Sequence, residues 1–363
     1  MSLAVPEKLL ARRPQSVLTK LGASSKVPLI NSKDIFETLK GEKVIVLTNN
    51  TRISLVIPGI MRAAEELDAI VGFELAKSEG DIDGGYTGQP PEVYFQTVIE
   101  YAEAENFSRP FFIHGDHITV KDTSEKEYNE AQALIKAELD AGYSSFAIDA
   151  SFNEIPDNVK ITTSLAQPIL EAGIGLEVEV GEIKSASGTD EGSVTSVDEA
   201  VEFVSGLKEN GVFPNMLAIN NGSKHGNYLD GEEISIDLDR TLEIYEAIKG
   251  YGLVVAQHGI TGTPLHLVGR FADHGIRKGN VGTHWQNIAH EFIPQDLMNE
   301  MKEWAGHEGK DIKFATKPFK DRIDTIPAVN KDQITEKACQ IAKEYIKAFR
   351  AEGTASKLIS AFS

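Results

Sequence analysis

Eight short runs of apolar, β-prone residues recur along the chain, each separated from the next by a longer segment of helical period. The runs are VIVLTNN (from Val44), DAIVGFEL (Asp68), PFFIHGDH (Pro110), SSFAIDAS (Ser144), GLEVEVGE (Gly175), MLAINNG (Met216), GLVVAQHG (Gly252) and IRKGNVGT (Ile276). Between them, stretches such as SLVIPGIMRAAEEL, EYNEAQALIKAELDAG and SVDEAVEFVSGLKENG place apolar residues three and four apart, and the last two end at a glycine suited to a helix C-terminus. Strand runs alternating with amphipathic helices are the signature of parallel βαβ units. Eight alternations predict an α/β fold, a (β/α)8 TIM barrel over about residues 44–290. Residues 1–43 are expected to form a helical lid on the barrel and 291–363 a helical tail, the whole a single domain. A doubly wound open sheet is the alternative if the count is wrong by one or two strands.

The totals narrow the function. With 36 basic and 55 acidic side chains the formal charge is −19, which repels nucleic acid and anionic membrane surfaces. An acidic chain can still hold a phosphate against backbone amides, so a phosphorylated metabolite stays open as a ligand. The one cysteine, Cys339, lies in a helical-looking segment and has no internal partner for a disulfide. No apolar run reaches the roughly 18 residues of a membrane span, and the first residues lack a secretory apolar core. EKLLARRPQSVLTKL is weakly transit-like but reads better as an amphipathic helix. A cytoplasmic protein is expected.

In such barrels the catalytic groups sit at the C-terminal ends of the strands and in the loops that follow. FFIHGDHITV puts His114, Asp116 and His117 at that end of the third strand. The other strands end in Asn49 and Asn50, in Asp149, in Glu177 and Glu179, and in NNGSKHG, QHGITGTP and GNVGTH. His117, His225 and His258 each stand at or just past the end of a different strand, and three neutral imidazoles with an open position make a site for Zn²⁺ or a related divalent ion. Asp116 points away from His117 if the strand stays extended; if the strand bends there, it can act in proton transfer. His114 reads as a hydrogen-bonded histidine of the barrel wall. His266, His274, His284, His290 and His307 fall in helices or helix starts and read as surface or packing residues. The turns GSKHG, HGITGTP and NVGT offer glycine amides and hydroxyls near strands seven and eight, the usual barrel phosphate site.

At these residues the sequence resembles the class II, metal-dependent fructose-bisphosphate aldolase family and its tagatose-bisphosphate relatives. IHGDH, GYSSFAID, LEVEVGEI, NNGSKHGNY, QHGITGTP and KGNVGT follow in the family's order, and SEG at Ser78 also fits. The resemblance implies that His117, His225 and His258 are zinc ligands and that Asp116 moves the proton of the C4 hydroxyl. It implies that Glu179 and Asp149 lie near the metal in an alternative, buried position. Gly226, Gly259, Thr261, Asn280 and Thr283 match positions that bind the dihydroxyacetone phosphate half, where a monovalent cation such as Na⁺ or K⁺ commonly assists; Asn50, Ser78 and Gly282 complete the expected substrate- and phosphate-binding set.

The chain also departs from the family. Where the family carries a Gly-Gly-Glu-Glu-Asp-like loop with a catalytic glutamate, this chain reads SASGTDEGS, leaving Asp190 or Glu191 for that role. HGITG replaces HGGSG, and Gly282 stands where many fructose-bisphosphate enzymes have aspartate and the tagatose branch a small residue, so the substrate stays open. The implied activity is reversible aldol cleavage of a ketose (bis)phosphate, in carbohydrate metabolism such as glycolysis, by a homodimer or larger oligomer with the tail as a candidate interface. Two other readings remain: a Schiff-base barrel aldolase using Lys224, and a barrel without turnover that serves as an assembly or regulatory subunit.

Overall fold

The computed structural model describes residues 5–181, 194–224, 226 and 235–363. Strands β1 (Val46–Asn50), β2 (Val71–Ala76), β3 (Phe111–Thr119), β4 (Ser145–Asp149), β5 (Gly175–Val180), β6 (Met216–Ile219), β7 (Val254–Gln257) and β8 (Ile276–Val281) follow one another in space. All neighbours run parallel, and β8 pairs with β1, so the sheet closes into a barrel and the open-sheet alternative falls away. All eight runs read from the sequence are strands, because segments buried on both faces are apolar almost throughout.

Local sequence sets where the outer helices begin and end. Helix Glu125–Ala141 starts at Ser124, whose hydroxyl accepts from the Glu127 amide, and stops at Gly142 with φ 101°. Helix Val197–Glu209 opens on a capping box between Ser196 and Glu199. Helix Ala328–Ala348 of the tail lies on helix Ile57–Glu66 so closely that a Cβ at Gly59 would come within 2.2 Å of the Thr335 carbonyl oxygen. The tail is thus packed on the barrel's own outer layer.

The N-terminal segment covers the end of the barrel away from the expected site. The Ile30 amide donates to the Phe111 carbonyl at the start of β3, and the Asn31 side chain caps helix Ser32–Leu39 while accepting from the Gly175 amide. Phe36 of that helix meets Phe112 edge-on at 5.8 Å, joining Val46, Ile70, Met216, Val254 and Ala256 in an apolar plug. The predicted lid is therefore a floor. Burial of each large side chain in it contributes about 1.5–3 kcal/mol. Among the described residues no helix is long and apolar enough to cross a membrane.

Candidate active site at the barrel mouth

Above the apolar plug the barrel interior turns polar, and the change is most visible on β3. There His117 has φ 40°, and the register against β4 slips between Gly115 and Ile118. Adjacent residues of an extended strand face opposite ways, but this bulge brings Asp116 and His117 to one mouth. A non-glycine residue in that backbone region costs about 1–3 kcal/mol, a strain typical of functional sites. The bent strand expected as one of two possibilities is the one found.

His117 and His258 face each other, with His117 Nε2 2.9 Å from His258 Nδ1. Each ring is held from behind by carboxylates. His117 Nδ1 lies 3.0 Å from Glu179 and 3.5 Å from Asp149, and His258 Nε2 lies 2.7 Å from Glu177. A carboxylate on the far nitrogen fixes the tautomer and turns the other nitrogen's lone pair inward, the arrangement that metal-ligating histidines use. Asp116 completes a group with His117 and His258 whose donor atoms lie within 4.8 Å of one another; His117, Asp149 and Glu179 form a second such group. This mixed nitrogen and oxygen donor set suits a divalent cation. His225, Asp190 and Glu191 lie outside the described residues.

Asp116 is buried and accepts from Asn50 Nδ2 at 2.8 Å and Asn280 Nδ2 at 3.2 Å. Burial works to raise its carboxyl, but the electrostatic pull of the nearby basic groups His117, Lys278 and His258 outweighs burial and holds it well below the usual carboxylate range. Burial, then the charge of Asp149, pushes Glu179 up to about 7 against the opposing pull of His117. His114 is fully buried, shares a hydrogen bond with the Ser145 hydroxyl at 2.6 Å, and is pushed down to about 3 by burial and then Lys278. It is the wall histidine expected.

A cavity of about 970 Å³ opens over these groups. Its lining includes Asn50, Ser78, Gly226, Gly259, Thr261, Asn280, Gly282 and Thr283 together with Asp116, His117, Asp149, Glu179 and His258, so every described residue of the expected set meets there. Gly259 has φ 68°, and a Cβ on it would come within 2.6 Å of the Lys224 carbonyl oxygen, so the turn after β7 requires glycine. Lys224 itself is not among the lining residues.

Glu177, read from the sequence only as a strand-end carboxylate, and two residues not singled out there also take part. Glu177 orients His258; its place two residues before Glu179 on one strand face was the available signal. Arg52 donates to Glu79 at 2.6 Å and to the Thr283 hydroxyl at 3.1 Å at the cavity edge. Lys278, two residues before Asn280, is fully buried between Glu74 and Glu177. His290, read as a packing residue, also lines the cavity.

A closed parallel barrel with paired imidazoles and carboxylates at the C-terminal mouth is the framework of a metal-dependent barrel enzyme. The family model for "Fructose-bisphosphate aldolase class-II" matches residues 30–354. The chain is 27% identical over 280 residues to a fructose-bisphosphate aldolase of Streptococcus pneumoniae serotype 4, an alignment covering 76% of this chain and 86% of the relative. Among solved structures it superposes on the YdjI aldolase from Escherichia coli K12 with a TM-score of 0.63 at 18% identity, covering 90% of this chain and 99% of that one. A putative fructose-1,6-bisphosphate aldolase from Coccidioides immitis gives 0.65 at 20% identity, covering 90% and 98%. The chain belongs to the class II fructose-bisphosphate aldolase family, and is therefore a metal-dependent aldolase, a carbon–carbon lyase.

Proposed function

We propose that the protein reversibly cleaves a ketose bisphosphate such as fructose 1,6-bisphosphate to dihydroxyacetone phosphate and an aldehyde, with Zn²⁺ held by His117, His225 and His258. The observation that carries this reading is the pair of inward-facing imidazole nitrogens with the Asp116 carboxylate beside them. A bound divalent ion supplies Lewis-acid charge that stabilises the electron pair left on the donor fragment. In the cleavage direction Asp116 takes the proton from the C4 hydroxyl as the C3–C4 bond breaks, and Asn50 and Asn280 hold its carboxylate in place. Asp190 or Glu191 returns a proton to C3. Amides of the turns at Gly226, Gly259 and Gly282, with the Thr261 and Thr283 hydroxyls, bind the phosphate of the dihydroxyacetone phosphate half without adding side-chain charge. A monovalent cation, Na⁺ or K⁺, assists there. Glu179 and Asp149 offer the metal a second, buried position behind His117.

The Schiff-base alternative is disfavoured on electrostatic grounds. Lys224, the lysine read for that route, does not line the cavity. Among the described residues Lys278 is a lysine that lies inside the barrel, and although burial works to lower its ammonium, Glu177 and Glu74 raise it above the ordinary lysine range, so its neutral amine is suppressed. We further read the barrel and its packed extensions as one domain, in a cytoplasmic homo-oligomer.

Metal analysis of the purified protein, with cleavage assays on a panel of ketose mono- and bisphosphates, tests the reading. Near-stoichiometric Zn²⁺, loss of cleavage with chelator and its return on re-addition are expected, and His117→Ala and His258→Ala should strip the metal. Borohydride trapping of a substrate adduct would replace this mechanism with the lysine one, and bound metal with no cleavage of any ketose phosphate would favour the silent subunit.

A further inference from the structure

Lys278 lies on β8 beneath the mouth with none of its surface exposed, and the chemistry above makes no use of it. An ammonium has three protons to donate and no lone pair. This one donates to Asn280 Oδ1 at 2.9 Å and forms ion pairs with Glu177 Oε2 at 3.0 Å and Glu74 Oε2 at 3.3 Å. Because Lys278 can only donate, it dictates what its neighbours do with their remaining polar atoms. Asn280 must turn its oxygen toward the ammonium, which leaves its Nδ2 to donate upward to Asp116 Oδ1 at 3.2 Å and sideways to Glu74. Glu177, with Oε2 on Lys278, presents Oε1 to His258 Nε2 at 2.7 Å. A carboxylate only accepts, so that nitrogen carries the proton and Nδ1 keeps the lone pair that faces His117.

We propose that Lys278 is a positioning residue that sets two features of the site at once, the metal-facing tautomer of His258 through Glu177 and the orientation of Asn280 that holds Asp116. It touches neither metal nor substrate. The inference rests on the metal-site reading given under Proposed function. A neutral donor could reach the Asn280 oxygen, but it could not also balance the two buried carboxylates that face the same point.

The test compares the Zn²⁺-loaded wild type with Lys278→Met, which keeps the length of the stem and removes the charge. Lys278→Met leaves two carboxylates buried around an apolar tip, so Lys278→Met/Glu74→Gln, with one carboxylate fewer, is measured beside it as the better-folding variant. Zn²⁺ affinity is read by competition with a chromophoric chelator, the His258 tautomer from imidazole ¹⁵N shifts of the metal-free protein, and kcat and KM on the ketose bisphosphate that the wild type cleaves. In both variants Zn²⁺ should bind about 10–100-fold more weakly, the effect typical of removing a group behind a ligand. His258 should lose its pure Nε2–H form, and kcat should fall with KM changing far less. Wild-type tautomer and wild-type Zn²⁺ affinity in the double variant would overturn the proposal and leave Lys278 a simple counter-ion. Should the wild type bind Zn²⁺ no more tightly than His258→Ala, the metal-site reading fails, and this inference with it.

Discussion

Asp116 has two amide nitrogens on its oxygens and His258 Nδ1 4.0 Å away, so its charge is held in place before any substrate arrives. Asp116→Asn keeps the size and part of the hydrogen bonding while removing the base. Metal content and folding should survive, and kcat should fall by about 10²–10⁴-fold with KM much less changed. Steady-state kinetics normalised to bound metal decide it: loss of metal with normal activity per ion would make Asp116 an orienter of His117 instead. Residue chemistry at the strand ends is legible because polar side chains are conspicuous in apolar runs, and His117, His258, Asp149 and Glu179, which the fold brings to one mouth, stand out in this way. Lys278 is not legible in the same way, because a lysine in a strand reads as solvent-facing unless its carboxylate partners Glu177 and Glu74, both far earlier in the chain, are known to meet it. Sequence separation hides such a network, and only the closed barrel brings it together.

Between elements, the decisive contact lies behind β3. Helix Glu125–Ala141 sends Glu138 onto the strand just before its bulge, where a Cβ at Gly115 would meet the carboxylate. Glu138 is only 2% exposed, and burial, followed by the charge of Asp116, raises its carboxyl well above the usual range. The folded protein therefore keeps this proton to higher pH than the unfolded chain, in which a glutamate titrates near about 4.3. The linked contribution is fully present below that value and is lost as pH rises through the raised one. Glu138→Gln cannot titrate, so the wild type should lose stability relative to this variant as pH rises from the unfolded value toward the raised one. Urea midpoints of both proteins across that range, in chelator, check it; parallel curves would show that Glu138 ionises as freely folded as unfolded. Neither this contact nor the bulge was readable from periodicity. A one-residue bulge leaves the apolar pattern unchanged, and the sequence therefore allowed both an extended and a bent ending for IHGDH.

At the scale of the whole molecule the fold was the most legible part, since eight buried parallel strands each announce themselves as an apolar run and closure leaves few other arrangements. What the pattern did not contain was the side on which the N-terminal helices sit. An amphipathic helix needs an apolar surface, and both barrel ends offer one until the polar mouth is recognised as the site; the helices then take the other end, against Phe112 and its neighbours. This leaves the mouth groups of β3, β5 and β7 joined mainly by polar contacts across the barrel. If, as proposed, these groups hold an ion, it would bind the closed barrel and not the unfolded chain, whose ligands are scattered. Zn²⁺ should then stabilise the protein as a whole, by about 2.7 kcal/mol when free metal is 100 times its dissociation constant. Thermal melts of the wild type should rise by a few degrees as Zn²⁺ is titrated from chelator to excess, at the rate of about 2–4 °C or less per kcal/mol expected for a large domain. His258→Ala should melt at one temperature throughout the titration. A wild-type midpoint indifferent to Zn²⁺ would mean that the facing imidazoles do not share an ion, whatever the activity of the enzyme.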